Sequence, residues 1–225
     1  MKNTIIHKFY ILPAVLKAAA GFIDVKRGAL SPGFYADRGG VYLVATDSAA
    51  LFAYRVANNP AGIDAGFVFG GATLKKVARL TRGASLIAVE LYPNKIIFSA
   101  GGESVEAERL TGVNVVNWRR AIFGVTFEPA YRPAGGVAAA FLRDRLARGI
   151  TPAAFRCERL ARALKSLGLI CVSTRLIPPR STVEPLLIIS EDTPELIAAV
   201  MPCRDDAARE SRALDATAAA FDLED

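Results

Sequence analysis

Apolar residues in this chain change period in a set order, and the order occurs twice. After a short strand-like lead from Thr4 to Ile11, Leu12, Val15, Leu16 and Ala19 recur at helical spacing, and Gly21 offers a stop or a kink. Phe34 to Asp37 and Val41 to Thr46 read as a hairpin around Arg38-Gly39-Gly40, followed by strands at Leu51 to Val56 and Phe67 to Phe69. A second helix places Leu74, Val77, Ala78 and Leu80 inward, with Gly83 after it. A meander then runs through Leu86 to Leu91, Lys95 to Ala100 and Ser104 to Leu110, turning at Tyr92-Pro93-Asn94 and Gly101-Gly102.

Beyond Asn117-Trp118-Arg119-Arg120 lies a Pro/Gly-rich stretch from Glu128 to Gly136. Two helical segments follow in close succession, and then strand-like runs at Leu169 to Ile177, Val183 to Ser190 and Leu196 to Met201. The order strand–helix–strands–helix–strands, followed by a shorter version of itself, predicts an α+β fold of two related units. The expected division is 1–116, 117–204 and an acidic tail, 205–225, that reads as weakly ordered.

Hydrophobic residues make up 52% of the 225, which excludes a disordered chain as a whole. The longest charge-free apolar run near the start, Phe9 to Leu16, is too short to span a bilayer, which takes about 20 residues. It is also a poor signal-peptide core, since Pro13 and Lys17 interrupt it. The expectation is a cytoplasmic soluble protein. Cys157, Cys171 and Cys203 form no CxxC pair and read as reduced, mostly buried thiols.

The net charge of +6 conceals its arrangement. Four segments read as amphipathic helices: Pro13 to Arg27, Gly71 to Gly83, Ala138 to Gly149 and Phe155 to Gly168. They hold fourteen of the 28 basic residues and three acids, Asp24, Asp144 and Glu158, for a net +11, whereas the tail is net −5. Positive charge gathered on helices suits a polyanion such as nucleic acid. The candidate phosphate contacts are Lys17, Lys26, Arg27, Lys75, Lys76, Arg79, Arg82, Arg143, Arg145, Arg148, Arg156, Arg159, Arg162 and Lys165.

Catalytic patterns are missing. The single histidine, His7, lies in the first strand or its lead-in and reads as a surface residue. No HExxH, GxSxG, P-loop or Rossmann glycine pattern occurs. Thr46-Asp47-Ser48 sits at a strand-to-turn junction, where Asp and Ser commonly bond to nearby backbone groups. Glu106 and Glu108 share one face of a strand with the look of a solvated face. The sequence therefore points to no enzyme, no cofactor and no metal.

Three segments, in order, resemble the bacterial sliding clamp family, the beta subunit of DNA polymerase III. Val44-Ala45-Thr46-Asp47-Ser48-Ala49-Ala50-Leu51 is similar to that family's V-A-T-D-G-H-R-L, with Ser48 and Ala49 in place of Gly and His. Leu110-Thr111-Gly112 followed by Asn117-Trp118-Arg119-Arg120 resembles L-x-D-G…P-x-Y-R-R. Ala199-Val200-Met201-Pro202-Cys203-Arg204 resembles V-V-M-P-M-R, and Phe155 to Leu167 resembles the helix preceding that ending.

The resemblance implies a DNA-clamp fold built from the middle and last domains of a three-domain clamp, the last one abbreviated. It implies a processivity factor in DNA replication that encircles double-stranded DNA, with three copies closing the ring as a homotrimer. Its partners would be a DNA polymerase and clamp-loader-like proteins. By the same resemblance, Thr46, Ser48, Leu51, Val200, Met201, Pro202 and Arg204 would border a groove that takes a short hydrophobic peptide from those partners. The abbreviated second domain leaves an alternative, a clamp-fold regulatory protein or decoy that does not encircle DNA.

Overall fold

The computed structural model describes residues 4–23, 31–60, 62–80, 84–113, 117–123, 155, 157–177, 179 and 184–202. Within 1–116 one motif occurs twice, a strand, a helix and three strands. The first copy is β1 (His7–Ile11), α1 (Pro13–Gly21), β2 (Gly33–Asp37), β3 (Gly40–Thr46) and β4 (Ala50–Ala57). The second is β5 (Ala65–Val68), α2 (Gly71–Leu80), β6 (Ile87–Leu91), β7 (Lys95–Ala100) and β8 (Glu103–Glu108). Each copy's first strand crosses to the other copy's sheet: β1 pairs with β6, and β5 pairs with β2. Neither copy can bury its apolar face without the other.

The remaining elements are α3 (Trp118–Phe123), α4 (Cys157–Leu167), β9 (Arg175–Ile177), β10 (Leu186–Ile189) and β11 (Leu196–Val200). The last three strands form a meander that continues the first unit's sheet, because β11 pairs antiparallel with β4. The result is a four-stranded sheet, β1-β6-β7-β8, and a seven-stranded sheet, β5-β2-β3-β4-β11-β10-β9. The larger sheet thus draws strands from both sides of residue 117.

Burial explains why the two sheets read differently in sequence. The four-stranded sheet is wet on one face, so β6 and β8 alternate buried and open positions. The seven-stranded sheet is covered on both faces, and β2 and β3 are almost continuously apolar. Against its inner face, Phe9 and Phe98 from the four-stranded sheet pack with Phe34 and Phe69, ring against ring at 5.2–6.0 Å, with Leu16, Leu74 and Val77 from the helices beside them. On its outer face α3 lays down Trp118 and Ile122 over Val44, Leu51, Leu187 and Ala199, with Trp118 4.9 Å from the Tyr42 ring.

The hairpins have the expected turn chemistry. Asp37 accepts the Gly39 N–H at 2.7 Å in the β2–β3 turn. Gly101 and Gly102 both take positive φ, 57° and 84°, which the tight β7–β8 turn requires. Two expected elements are shorter than their patterns. The first helix ends at Gly21 rather than Arg27: Phe22 and Ile23 turn into the core, and the Phe22 ring meets Phe52 at 5.4 Å. Gly21 also lies so close to Ser166 on α4 that a Cβ there would collide with it. The run from Leu169 narrows to Arg175–Ile177, because Leu169, Ile170 and Cys171 donate their N–H groups back to the end of α4. The expected helix at 138–149 and the tail lie outside the described residues.

Candidate nucleic-acid and partner interfaces

The helices form a layer in which α1 packs against both α2 and α4. Their buried positions fix which side is open. Leu74 and Val77 turn inward on α2, leaving Lys76 and Arg79 exposed and Lys75 half-buried. On α1, Val15, Leu16, Ala18 and Ala19 are buried and Lys17 is exposed. On α4, Ala163 and Leu167 turn inward, Lys165 is exposed, and Arg159 and Arg162 are half-buried. The structure therefore gathers seven expected phosphate contacts on one layer. Lys26, Arg27, Arg82, Arg143, Arg145, Arg148 and Arg156 lie outside the described residues.

Among the described residues, ion pairing separates most of these cations from three on strands, whereas Arg55 on β4 donates to the Asn58 side chain at 2.7 Å. On the strands, Lys8 pairs with Glu90 and Lys95 with Glu106, both at 2.7 Å, and Arg175 pairs with Glu191. On the helices, Lys17, Lys75, Lys76, Arg79, Arg159 and Lys165 pair with no described carboxylate. Of the seven candidate contacts Arg162 alone is engaged, by Asp47; on α3, outside that set, Arg119 pairs with Asp37 at 2.7 Å. Charges left unmatched on a helix layer produce a field that phosphates can neutralise. Glu106 is 59% exposed on its strand, the solvated face the sequence indicates.

The second expected site is assembled by the β4–β11 pairing. Leu51 lies opposite Ala199 and Ala50 opposite Val200, and the Met201 N–H donates to the Ala49 carbonyl at 2.8 Å. Residues 150 positions apart in sequence are thus brought into contact. The turn before β4 is tightly bonded. Thr46 Oγ1 donates to the Ala50 carbonyl at 2.7 Å and accepts the Ser48 N–H at 3.0 Å. Asp47 Oδ1 accepts the N–H groups of Ala49 and Ala50 at 3.0 and 2.8 Å. Ser48 adopts φ 69° there, a left-handed conformation that favours glycine.

Not every residue at this junction is open. Thr46, Leu51 and Val200 are buried, whereas Ser48 is exposed and Met201 and Pro202 are half-buried. Arg204 lies outside the described residues. Sequence reading missed the Asp47–Arg162 ion pair, which ties this turn to the basic helix layer across 115 positions. Burial alone would raise the Asp47 carboxyl, but Arg162 and the N–H groups of Ala50 and Ala49 outweigh it and hold the group below its ordinary value. Burial raises the Cys171 thiol above its usual range, in keeping with an inert structural cysteine. The His7 ring is half-buried, with Nε2 3.1 Å from the Asn58 carbonyl.

A doubled strand–helix–three-strand motif, with α1, α2 and α4 gathered in one layer against two antiparallel sheets, is the fold of the DNA sliding clamps. The chain is similar to the DNA polymerase sliding clamp from Pseudomonas aeruginosa, with 15% identity and TM-score 0.60 over 91% of this chain and 68% of that one. It is similar to the Caulobacter crescentus pol III beta, with 13% identity and TM-score 0.61 over 91% and 68% of the two chains. It is also similar to the sliding clamp from Bacillus subtilis, with 13% identity and TM-score 0.58 over 92% and 67%. No protein-family model matches the chain. No curated protein sequence matches it either. Among the described residues, no helix is long and apolar enough to cross a membrane.

Proposed function

We propose that this chain is a sliding-clamp-like processivity factor, a non-enzymatic protein of the cytoplasm that holds replication proteins on duplex DNA. The observation that carries the reading is the set of unmatched cations on the helix layer of a clamp fold. A clamp works by topology. A closed ring keeps a bound polymerase near the primer end, which raises its effective concentration without forming or breaking a bond. Phosphate contacts suffice for this, so binding is independent of sequence and weakens with salt.

In this reading the chain comprises two clamp domains, 1–116 and 117–204, with an acidic tail, and three copies close the ring. Lys17, Lys75, Lys76, Arg79, Arg159, Arg162 and Lys165 contact phosphates. The junction of the 46–50 turn with Val200–Pro202 receives a hydrophobic peptide from a polymerase or a loader-like protein, with Met201 as an adaptable wall. Binding to a duplex, measured between low and moderate salt, tests it. A steep loss with salt is expected, and binding that salt leaves unchanged would remove phosphate contact as its basis.

One observation favours a second reading. In the sequence the helices expected at 138–149 and 155–168 follow in close succession, which leaves no room for strands between them and abbreviates the second unit. A clamp-fold regulator that binds clamp partners without encircling DNA needs no more than that. Mass in solution separates the two: a trimer belongs to the ring, and a monomer belongs to the regulator.

A further inference from the structure

The Asp47–Arg162 pair is unequal in its exposure. Asp47 is 3% exposed in its side chain and Arg162 is 36% exposed. The buried partner is held from all sides: Oδ1 takes two backbone N–H groups, and Oδ2 takes Nη2 of Arg162. The open partner is held at that one nitrogen. Nε and Nη1 of Arg162 make no hydrogen bond to a described residue, and Arg159 and Lys165 lie one turn away on either side. A guanidinium carries five N–H donors in a rigid fork, so one edge can be fixed while the other stays free for an anion.

We infer that Asp47 is a positioning residue for DNA binding: it holds Arg162 by one edge and presents the rest of the guanidinium to a phosphate oxygen of the duplex. The inference rests on the reading of the helix layer as a DNA surface. It reverses what charge alone predicts. A carboxylate among cations that bind a polyanion ordinarily weakens binding, and its removal strengthens it. Asp47 is different because it is buried and bonded to one edge of Arg162. Its removal unmatches that cation but also releases a long side chain that must then be ordered when DNA binds, and the loss of positioning outweighs the gain in net charge.

The test compares two charge-removing variants of the full chain on one short duplex. Asp47→Asn keeps an Oδ1 acceptor for the N–H groups of Ala49 and Ala50 while removing the charge that holds Arg162. Glu158→Gln removes an exposed acid from the same helix, α4. Glu158→Gln is expected to tighten binding, whereas Asp47→Asn weakens it about fivefold, the loss of one charge-assisted contact. Asp47→Asn also lowers the salt slope by about one phosphate. In an Arg162→Gln background Asp47→Asn adds nothing further, because the residue it positions is gone.

Asp47→Asn binding as tightly as Glu158→Gln, or a loss that adds fully to that of Arg162→Gln, overturns the inference while the DNA surface stands. A wild-type chain that binds no duplex removes the DNA surface and the inference together. Should Asp47→Asn melt before it can be titrated, Arg162→Lys decides. An ammonium has no rigid fork with one edge fixed and the other free, so a similar weakening is expected, and unchanged affinity overturns the inference.

Discussion

On the outer face of the four-stranded sheet, charge is matched across strands. Lys8 faces Glu90, and Lys95 faces Glu106 and sits over the Tyr92 ring. On the helix layer, Lys17, Lys76, Arg79 and Lys165 are exposed without such partners. Both surfaces are rich in charge, and a count of residues would not tell them apart. The sheet face suits water, because each cation already has its anion. The helix face suits a polyanion, because its charge is still to be neutralised. Placement relative to acids, rather than the number of bases, is what distinguishes the two surfaces.

Charge reversal on the two surfaces offers the strongest way to break this contrast. The double variant Lys76→Glu and Arg79→Glu should lower duplex affinity by about a hundredfold at low salt, since two phosphate contacts become repulsions. The matched double variant Lys8→Glu and Lys95→Glu should change it by less than about threefold, because those cations are already paired. Anisotropy titrations of both proteins would decide. Equal losses from the two surfaces would show that net charge, not the helix layer, governs binding.

A smaller effect separates the helix layer from the β4–β11 junction. Met201→Ala should weaken a peptide with Leu and Phe anchors by about tenfold, through lost apolar contact, and leave duplex affinity unchanged. Leu51→Ala is not a clean probe of this site, because Leu51 is 6% exposed and packs with Trp118, Val44 and Ala199. Its truncation should cost about 3 kcal/mol of stability, read in denaturant unfolding. A peptide that binds Met201→Ala as tightly as the parent would move the partner site elsewhere.

The turn itself can be sharpened in the other direction. Ser48→Gly should stabilise the fold by about 1 kcal/mol, because a residue at φ 69° is strained by its Cβ. A lower melting temperature in that variant would mean that the Ser48 hydroxyl, bonded to the Asp47 carbonyl, outweighs the strain. Acid should loosen the same turn. The Asp47 carboxyl lies below its ordinary value in the fold, so the unfolded chain takes up the proton first. The stability it contributes is complete above the unfolded value near about pH 4 and is lost as pH falls towards the folded value. Asp47→Asn should therefore flatten the acid limb of stability against pH. The smallest effect belongs to the sheet face: Glu90→Gln should leave the melting midpoint within error, since exposed ion pairs contribute little.

The β2–β3 hairpin and the β6–β7–β8 meander were legible because their signals are local: Arg38-Gly39, Pro93-Asn94 and Gly101-Gly102 between alternating strands. The end of α1 was less so. The apolar spacing continues past Gly21, but Phe22 and Ile23 are needed in the core, and burial overrode helical continuation. The basic character of the helices could be read directly, because charge on a solvent face needs no partner to be recognised. Arg162 shows the limit, since nothing near it in sequence indicates that a buried carboxylate 115 positions earlier takes one of its nitrogens.

The sequence by itself determined the periods, the turns and the placement of cations, which are properties of neighbours within a few residues. Only the tertiary structure decided that β1 and β5 exchange sheets, that β11 closes onto β4, and that Asp47 meets Arg162. Apolar alternation fixes which face of a strand is buried, but many strands present the same face. The choice among them is made by the free energy of burying Phe9, Phe34, Phe69 and Phe98 together, a sum over the whole core that no local segment contains.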